Sequence, residues 1–357
     1  MTRILIPLLT GLLIASCIRK EALNTEADIV ECLVDGSILK REPIIQNDKV
    51  TLMVKGNADL TRQAPEFMLT EGATITPASG TVRDFTSPQS YIVMSEDGQW
   101  KKNYSVSYVI DEFSTLFSFE NTIPERNNRY YIFAEKNGDH VTMEWASGNI
   151  GFAITGAAKT PEDYPTTQSD HGYAGKCACL ITRSTGALGG TFKMPIAAGN
   201  LFIGTFQLDL SNPLKATRFG LPFYNTPTTF SGYYKYKAGD IYYENGNIVE
   251  GVKDRCHFYA VLYETDEALN MLDGINVFTH PNIISTAVIE NPAETDEWTY
   301  FSLPFVYRPG KSIDPEKLKD GKYNLTVVFT SSMDGGEFKG APGSTLYIDE
   351  VEITVDI

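Results

Sequence analysis

Short runs in which apolar and polar residues alternate, cut apart by turn residues, constrain this chain more than any other feature. The clearest is Thr345-Leu346-Tyr347-Ile348-Asp349-Glu350-Val351-Glu352-Ile353. A period of two sends successive side chains to opposite faces of a strand, whereas a helix needs apolar residues every three to four positions. Shorter β-type runs occur at Val50–Val54, Ser90–Met94 and Tyr104–Tyr108, with Pro77-Ala78-Ser79-Gly80 and Glu96-Asp97-Gly98 as turns between them. Further strands are expected at Tyr130–Ala134, Lys176–Arg183, Leu201–Leu210, His257–Glu264, Trp298–Tyr307, Tyr323–Ser331 and Ser344–Val355. Helical pattern is confined to two brief pieces, Asp266–Leu272 and Pro315–Lys319 after Asp314. The fold class expected is therefore all-β.

Strand spacing divides the chain. Residues 28–110 carry short strands at the spacing of a small immunoglobulin-like β-sandwich. Asp111-Glu112 marks the expected boundary, and residues 111–357 are long enough for a larger β-sandwich of the jelly-roll type. No internal repeat is visible.

The first residues read as a leader. Arg3 precedes an apolar run from Ile4 to Ala15, too short for a bilayer core that needs about 20 apolar residues. The run ends Ile14-Ala15-Ser16-Cys17, which resembles a lipobox: small residues fit the signal peptidase and the Cys17 sulfur takes the lipid. Residues 1–17 are thus expected to be a lipoprotein signal peptide ending at a lipidated Cys17, with residues 18–27 as a tether. The mature chain would touch the membrane through its acyl chains only. The formal net charge is −15, and one unit lower once Arg3 is removed. That balance disfavours nucleic acid and anionic headgroups as partners. Of the remaining cysteines, Cys177 and Cys179 share one strand face, a spacing too tight for a zinc ligand pair. Buried thiols, or one bridge to Cys256, are expected instead of a metal.

Two stretches carry a family resemblance. The segment from Leu69-Thr70-Glu71-Gly72-Ala73 to Trp100 resembles the immunoglobulin-like module near the N-terminus of many Bacteroides-type surface lipoproteins. Glu144–Asn149 (EWASGN), Pro195–Phe206, Gly232–Gly239 (GYYKYKAG) and Gly340–Ile353 together resemble the putative carbohydrate-metabolism domain family. The resemblance implies a jelly roll related in shape to carbohydrate-binding modules, and an outer-membrane lipoprotein at the cell surface. It also implies calcium. Phe119-Glu120-Asn121 and Ile348-Asp349-Glu350-Val351 resemble the first and last strands of calcium-containing modules of that shape, where a Glu and an Asp hold the ion with backbone carbonyls. Glu120 and Asp349 are the expected ligands, with a solvent-facing carboxylate as the alternative for Asp349.

Sugars stack the apolar C–H face of a pyranose on aromatic rings, while planar polar side chains read the hydroxyls. Tyr233-Tyr234-Lys235-Tyr236 offers those residue types, and alternation puts Tyr234 and Tyr236 on one face, Tyr233 and Lys235 on the other. Only one set can face solvent; the alternative is that both faces are structural, since tyrosine is a common strand residue. Trp145 with Asn149 beside it is a second candidate platform, against the usual fate of a large aromatic as core. Trp298 and Trp100 are expected in the cores. Catalytic signatures are missing: no Gly-x-Ser-x-Gly, His-Glu-x-x-His, Walker loop or dinucleotide fingerprint occurs. A glycosidase needs only two carboxylates at a set separation, which sequence does not display. The expected function is binding of a polysaccharide or glycan without turnover. The alternatives are a glycoside hydrolase, and an adhesive protein binding other surface proteins, among them those of a glycan-uptake system.

Overall fold

The computed structural model describes residues 23–356 except 37, 40–41, 55–57, 111–114, 138–139, 192 and 210. The leader, Cys17, the start of the tether and Asp111-Glu112 lie outside the described residues. The chain packs as two units whose main division falls between Tyr108 and Val109.

In the smaller unit, a five-stranded antiparallel sheet has the order Ile44–Gln46, Lys49–Val54, Lys101–Ile110, Gln89–Met94, Thr74–Thr76. Ile29–Leu33 pairs with Glu66–Leu69 in a second layer. Alternation drives the packing: Val50, Leu52, Tyr91, Val93, Tyr104 and Val106 point inward and are fully buried, meeting Phe67 and Phe85 from the other side. Phe67 sits edge-on to Tyr91 at 4.9 Å, an arrangement that suits the ring quadrupoles. Trp100 is not in this core; it is 63% exposed just before the Lys101–Ile110 strand.

The larger unit is a jelly-roll sandwich of two antiparallel sheets. The first has the order Thr166–Ser169, Cys177–Ile181, Thr345–Asp356, Thr226–Lys237, Thr295–Pro304, and Leu116–Phe117 adds to the Thr345–Asp356 strand. The second runs Asn200–Phe202, Tyr323–Thr330, His257–Glu264, Ile283–Val288, Val306–Tyr307. Their inner faces close over one core that includes Phe230, Tyr234, Tyr236, Phe258, Phe301, Phe329, Leu346, Ile348 and Val351. Chain length and alternation explain this, because each strand offers one apolar face and two such faces bury each other.

The two sheets differ on their outer sides. The second is covered by a further apolar cluster in which Phe219, Leu269, Leu272 and Val277 pack on Phe202, Tyr259, Val261 and Tyr263. No comparable apolar cluster over the first sheet is found among the described residues.

Local structure meets expectation at one brief helix and departs from it in three places. Pro315–Lys319 is a helix, capped by Asp314 Oδ1, which accepts from Glu316 N at 2.9 Å. Asp266–Leu272 is not a helix. Asp266 Oδ1 accepts from Ala268 N and Leu269 N, both at 2.8 Å, which closes a turn, and Leu269 and Leu272 then serve the outer cluster. The Leu201–Leu210 run breaks at Ile203, whose N–H goes to Val327 O, while Gly204–Phe206 turns to pair with Thr217–Phe219. Brief helices form instead at Asn149–Ala153 and Gly186–Thr191. No helix of the described residues is long and apolar enough to cross a membrane.

Candidate functional site

The uncovered face of the first sheet collects rings. In the Thr226–Lys237 strand, Tyr234 and Tyr236 enter the core and Tyr233 and Lys235 point outward. Register sets Tyr233 between Asp349 on one neighbouring strand and Tyr300 on the other, and Lys235 opposite Tyr347. Tyr300 is 58% exposed, and its ring lies 5.3 Å from that of Tyr233. Trp298, two residues before Tyr300, shares its face and stays partly exposed. The Lys235 ammonium lies over the Trp298 ring at 4.7 Å and over the Tyr347 ring at 5.2 Å.

A loop completes the group. Asp170–Lys176 folds over the sheet and lays Tyr173, 50% exposed, flat on Tyr233, with centroids 3.7 Å apart and planes 9° apart. Trp298 meets the Tyr173 ring edge-on at 6.4 Å. Hydrogen bonding to Tyr173 is the first cause that raises the Tyr233 phenol above its ordinary pKa.

Two carboxylates fasten this loop. Asp349 Oδ2 accepts from Ala174 N at 3.0 Å, and Glu120 Oε1 accepts from Lys176 N at 2.9 Å. Gly172 N donates to Gly175 O inside the loop. Glycine is required at both ends: a Cβ at Gly172 would stand 2.8 Å from Asp349 Oδ2, and one at Gly175, at φ +65°, 2.0 Å from Glu120 Oε1. Asp349 is wholly buried. Burial pushes its carboxyl up to about 6, against the lowering effect of the Ala174 and Glu350 N–H groups. A positive φ at Glu350 interrupts alternation there, so Ile348 and Val351 both reach the core while Asp349 stays on the loop side. Among the described residues, no three His, Cys, Asp or Glu side chains gather as a metal cluster.

The other candidates are core. Tyr234 and Tyr236 are buried, so the solvent-facing pair of their strand is Tyr233 and Lys235. Trp145 is a correction: it packs among Phe117, Phe119 and Phe329 and donates Nε1–H to Glu135 Oε1 at 2.9 Å. Asn149 is another; fully buried, it exchanges two hydrogen bonds with the Thr166 backbone, at 2.7 and 3.0 Å, in place of a β-partner. Trp298 moves the other way, from expected core to the ring-bearing face. Cys177, Cys179 and Cys256 are free and buried, and burial raises Cys177 to about 12 and Cys179 to about 11. His257, packed against Tyr259 and Phe278, is held near 4 by burial and remains neutral.

Comparison with known proteins bears on this geometry. Residues 118–354 match the family model described as putative carbohydrate metabolism domain, and residues 38–107 match that described as SGBP, N-terminal. A crystal structure of a putative glycoside hydrolase from Bacteroides thetaiotaomicron is 54% identical, covering 95% of this chain and 99% of its own, with a TM-score of 0.84. Another putative glycoside hydrolase, from Bacteroides vulgatus, is 48% identical over 68% of this chain and 98% of its own, with a TM-score of 0.64. No curated protein matches the chain.

Proposed function

Because the chain belongs to the putative carbohydrate metabolism domain family, we propose that its larger unit binds a polysaccharide or glycan, without turnover, on the ring-bearing face of the first sheet. One observation carries this reading: Tyr173, Tyr233, Trp298 and Tyr300 gather on the sheet face that, among the described residues, no apolar cluster covers. Exposed rings cost hydration and are kept where a ligand covers them. Ring faces, with Lys235 and the tyrosine hydroxyls beside them, match a sugar's apolar face and its hydroxyl rim.

Hydrolysis fits the site less well, although the relatives carry that name. A glycosidase needs a general acid and a second carboxylate flanking the bond. Asp349, which faces Tyr233 in register, is buried with both oxygens accepting backbone N–H groups, which is a fastening role.

The N-terminal match supports placing the protein at the cell surface, and the proposed anchor is a lipid on Cys17 in the outer membrane. The proposal extends to calcium. Glu120 and Asp349 supply hard oxygen donors at one loop, and an ion there would take these two carboxylates with carbonyl oxygens.

Affinity electrophoresis and calorimetry against plant and host polysaccharides test the reading, with a reducing-end assay on the same mixtures. Retardation by a glycan without release of reducing ends is the expected result. Released ends would replace binding with hydrolysis, and no retardation by any glycan would reject both.

A further inference from the structure

We propose that the ring-bearing face takes an acidic glycan, one with uronate carboxylates or sulfate esters, and that Lys235 reads its charge. The inference rests on the glycan-binding reading and narrows it to a substrate class.

Lys235 stands on the Thr226–Lys237 strand, between the strands that carry Tyr347 and Trp298, with its ammonium held between those two rings. Those rings orient the cation, but a quadrupole carries no net charge, so the positive charge is held without being neutralised. Among the described residues, no carboxylate lies within ion-pair distance of it. Nearby lysines differ: Lys176 pairs with Asp170 at 3.5 Å, and Lys253 pairs with Glu294. The chain as a whole, at net charge −15, opposes a polyanion, so binding one needs a local cation left unneutralised, and Lys235 is such a cation among the described residues.

The negative charges facing this region sit toward Tyr233. Asp349 is opposite Tyr233 in register with its oxygens turned to the Ala174 and Glu350 N–H groups, and Glu350 adds to the negative field at the Tyr233 phenol. The anionic group of a ligand therefore belongs at the Lys235–Tyr347 end, and an uncharged pyranose at the Tyr173–Tyr233 end. A neutral sugar offers the ammonium hydroxyl oxygens alone, whereas an anion adds a Coulombic attraction that salt screens.

The test uses matched polymers on the whole mature chain: polygalacturonate with its carboxyl-reduced form, and a sulfated galactan with its desulfated form. Binding is measured by calorimetry at two salt concentrations, for the native chain, Lys235→Met and Lys235→Arg. We expect one acidic polymer to bind about tenfold more tightly than its neutral counterpart, a preference that shrinks with salt. Lys235→Met is expected to abolish the preference and Lys235→Arg to keep it, with melting temperatures confirming that both variants fold. Which pair shows the difference identifies carboxylate or sulfate. Equal binding of acidic and neutral forms, or a preference that survives Lys235→Met, overturns the inference and leaves glycan binding standing. Failure of all four polymers to bind the native chain overturns the inference, and the reading beneath it falls only if the wider panel of plant and host polysaccharides fails as well.

Discussion

Tyr173 lies flat on Tyr233 with ring centroids 3.7 Å apart, although the two belong to a loop and a strand sixty residues apart in sequence. Aromatic pairs left to themselves settle offset or edge-on at about 4.5–7 Å. A closer parallel stack needs external restraint, and here Asp349 and Glu120 supply it by gripping the loop backbone just after Tyr173, at Ala174 and Lys176. The sheet thus sets one ring and the clasped loop sets the other. A ligand approaching from solvent meets Tyr173 first, with Tyr300 and Trp298 beside it.

This arrangement separates ring deletions into two kinds. Tyr173→Ala, Tyr300→Ala and Trp298→Ala remove rings open to solvent, and each is expected to weaken glycan binding by up to about tenfold with little change in melting temperature. Tyr236→Ala deletes a core ring and is expected to cost about 3–5 kcal/mol of stability. Calorimetry paired with thermal melts checks both. Equal destabilisation by the two kinds, with binding unaltered, would return these rings to a packing role.

The proposed membrane attachment rests on one sulfur, that of Cys17. Cys17→Ala is expected to move the protein out of the membrane fraction and to abolish labelling by a fatty-acid analogue. A variant that still takes up label would end the lipoprotein reading.

The larger unit has a core of its own, drawn from residues 117–353. A chain beginning at Asp111 is expected to unfold in one cooperative transition, followed by circular dichroism in denaturant. Insolubility of that piece beside a well-folded full chain would move the boundary.

His257 sets part of the acid limb of stability. Its folded pKa is lowered from 6.5 to about 4, first by burial and then by the Arg255 charge. A depressed folded pKa contributes stability that is present above the unfolded value and lost as pH falls through the folded one. His257→Gln is therefore expected to flatten the melting temperature between about pH 6.5 and pH 4. A native and a variant curve of equal slope there would show that His257 titrates normally.

Much of the fold was legible because alternation is a local signal: Leu346 and Ile348 read as one apolar face and form one, while Val351 and Ile353 join it only because the positive φ at Glu350 shifts the alternation. The outward set of the tyrosine strand was legible only as a choice of two, since period alone does not say which face meets the second sheet. Trp298 and Tyr300, two apart in a strand whose Phe301 points inward, carry a readable signal, yet a tryptophan at the head of an apolar strand also reads as core. Tyr173 carried no such signal. It acts from a loop, where no period applies, and its place depends on Asp349, 176 positions on. Trp145 and Asn149 misled for the converse reason: a ring and an amide side by side suit a sugar, but equally suit a core tryptophan and a buried backbone bridge.

Asp349 allows the calcium proposal to be tested by pH as well as by chelation. Its folded pKa is raised from 3.8 to about 6, chiefly by burial. For a raised folded pKa, the stability contribution is full below the unfolded value and lost as pH rises through the folded one. This runs opposite to His257, so the two are separated by variants and not by the native curve alone. Without calcium, Asp349→Asn is expected to remove a decline in melting temperature between about pH 4 and pH 6. Calcium needs the ionised carboxylate and stabilises whatever state binds it. Added calcium is therefore expected to raise the melting temperature of the native chain at neutral pH, to do little below about pH 5, and to do nothing for Asp349→Ala. Because Asp349 also grips the Tyr173 loop, the same ion is expected to tighten glycan binding, and a chelator to loosen it. Melting and binding curves that coincide with and without chelator would reject calcium here and leave Asp349 as a fastening for the loop.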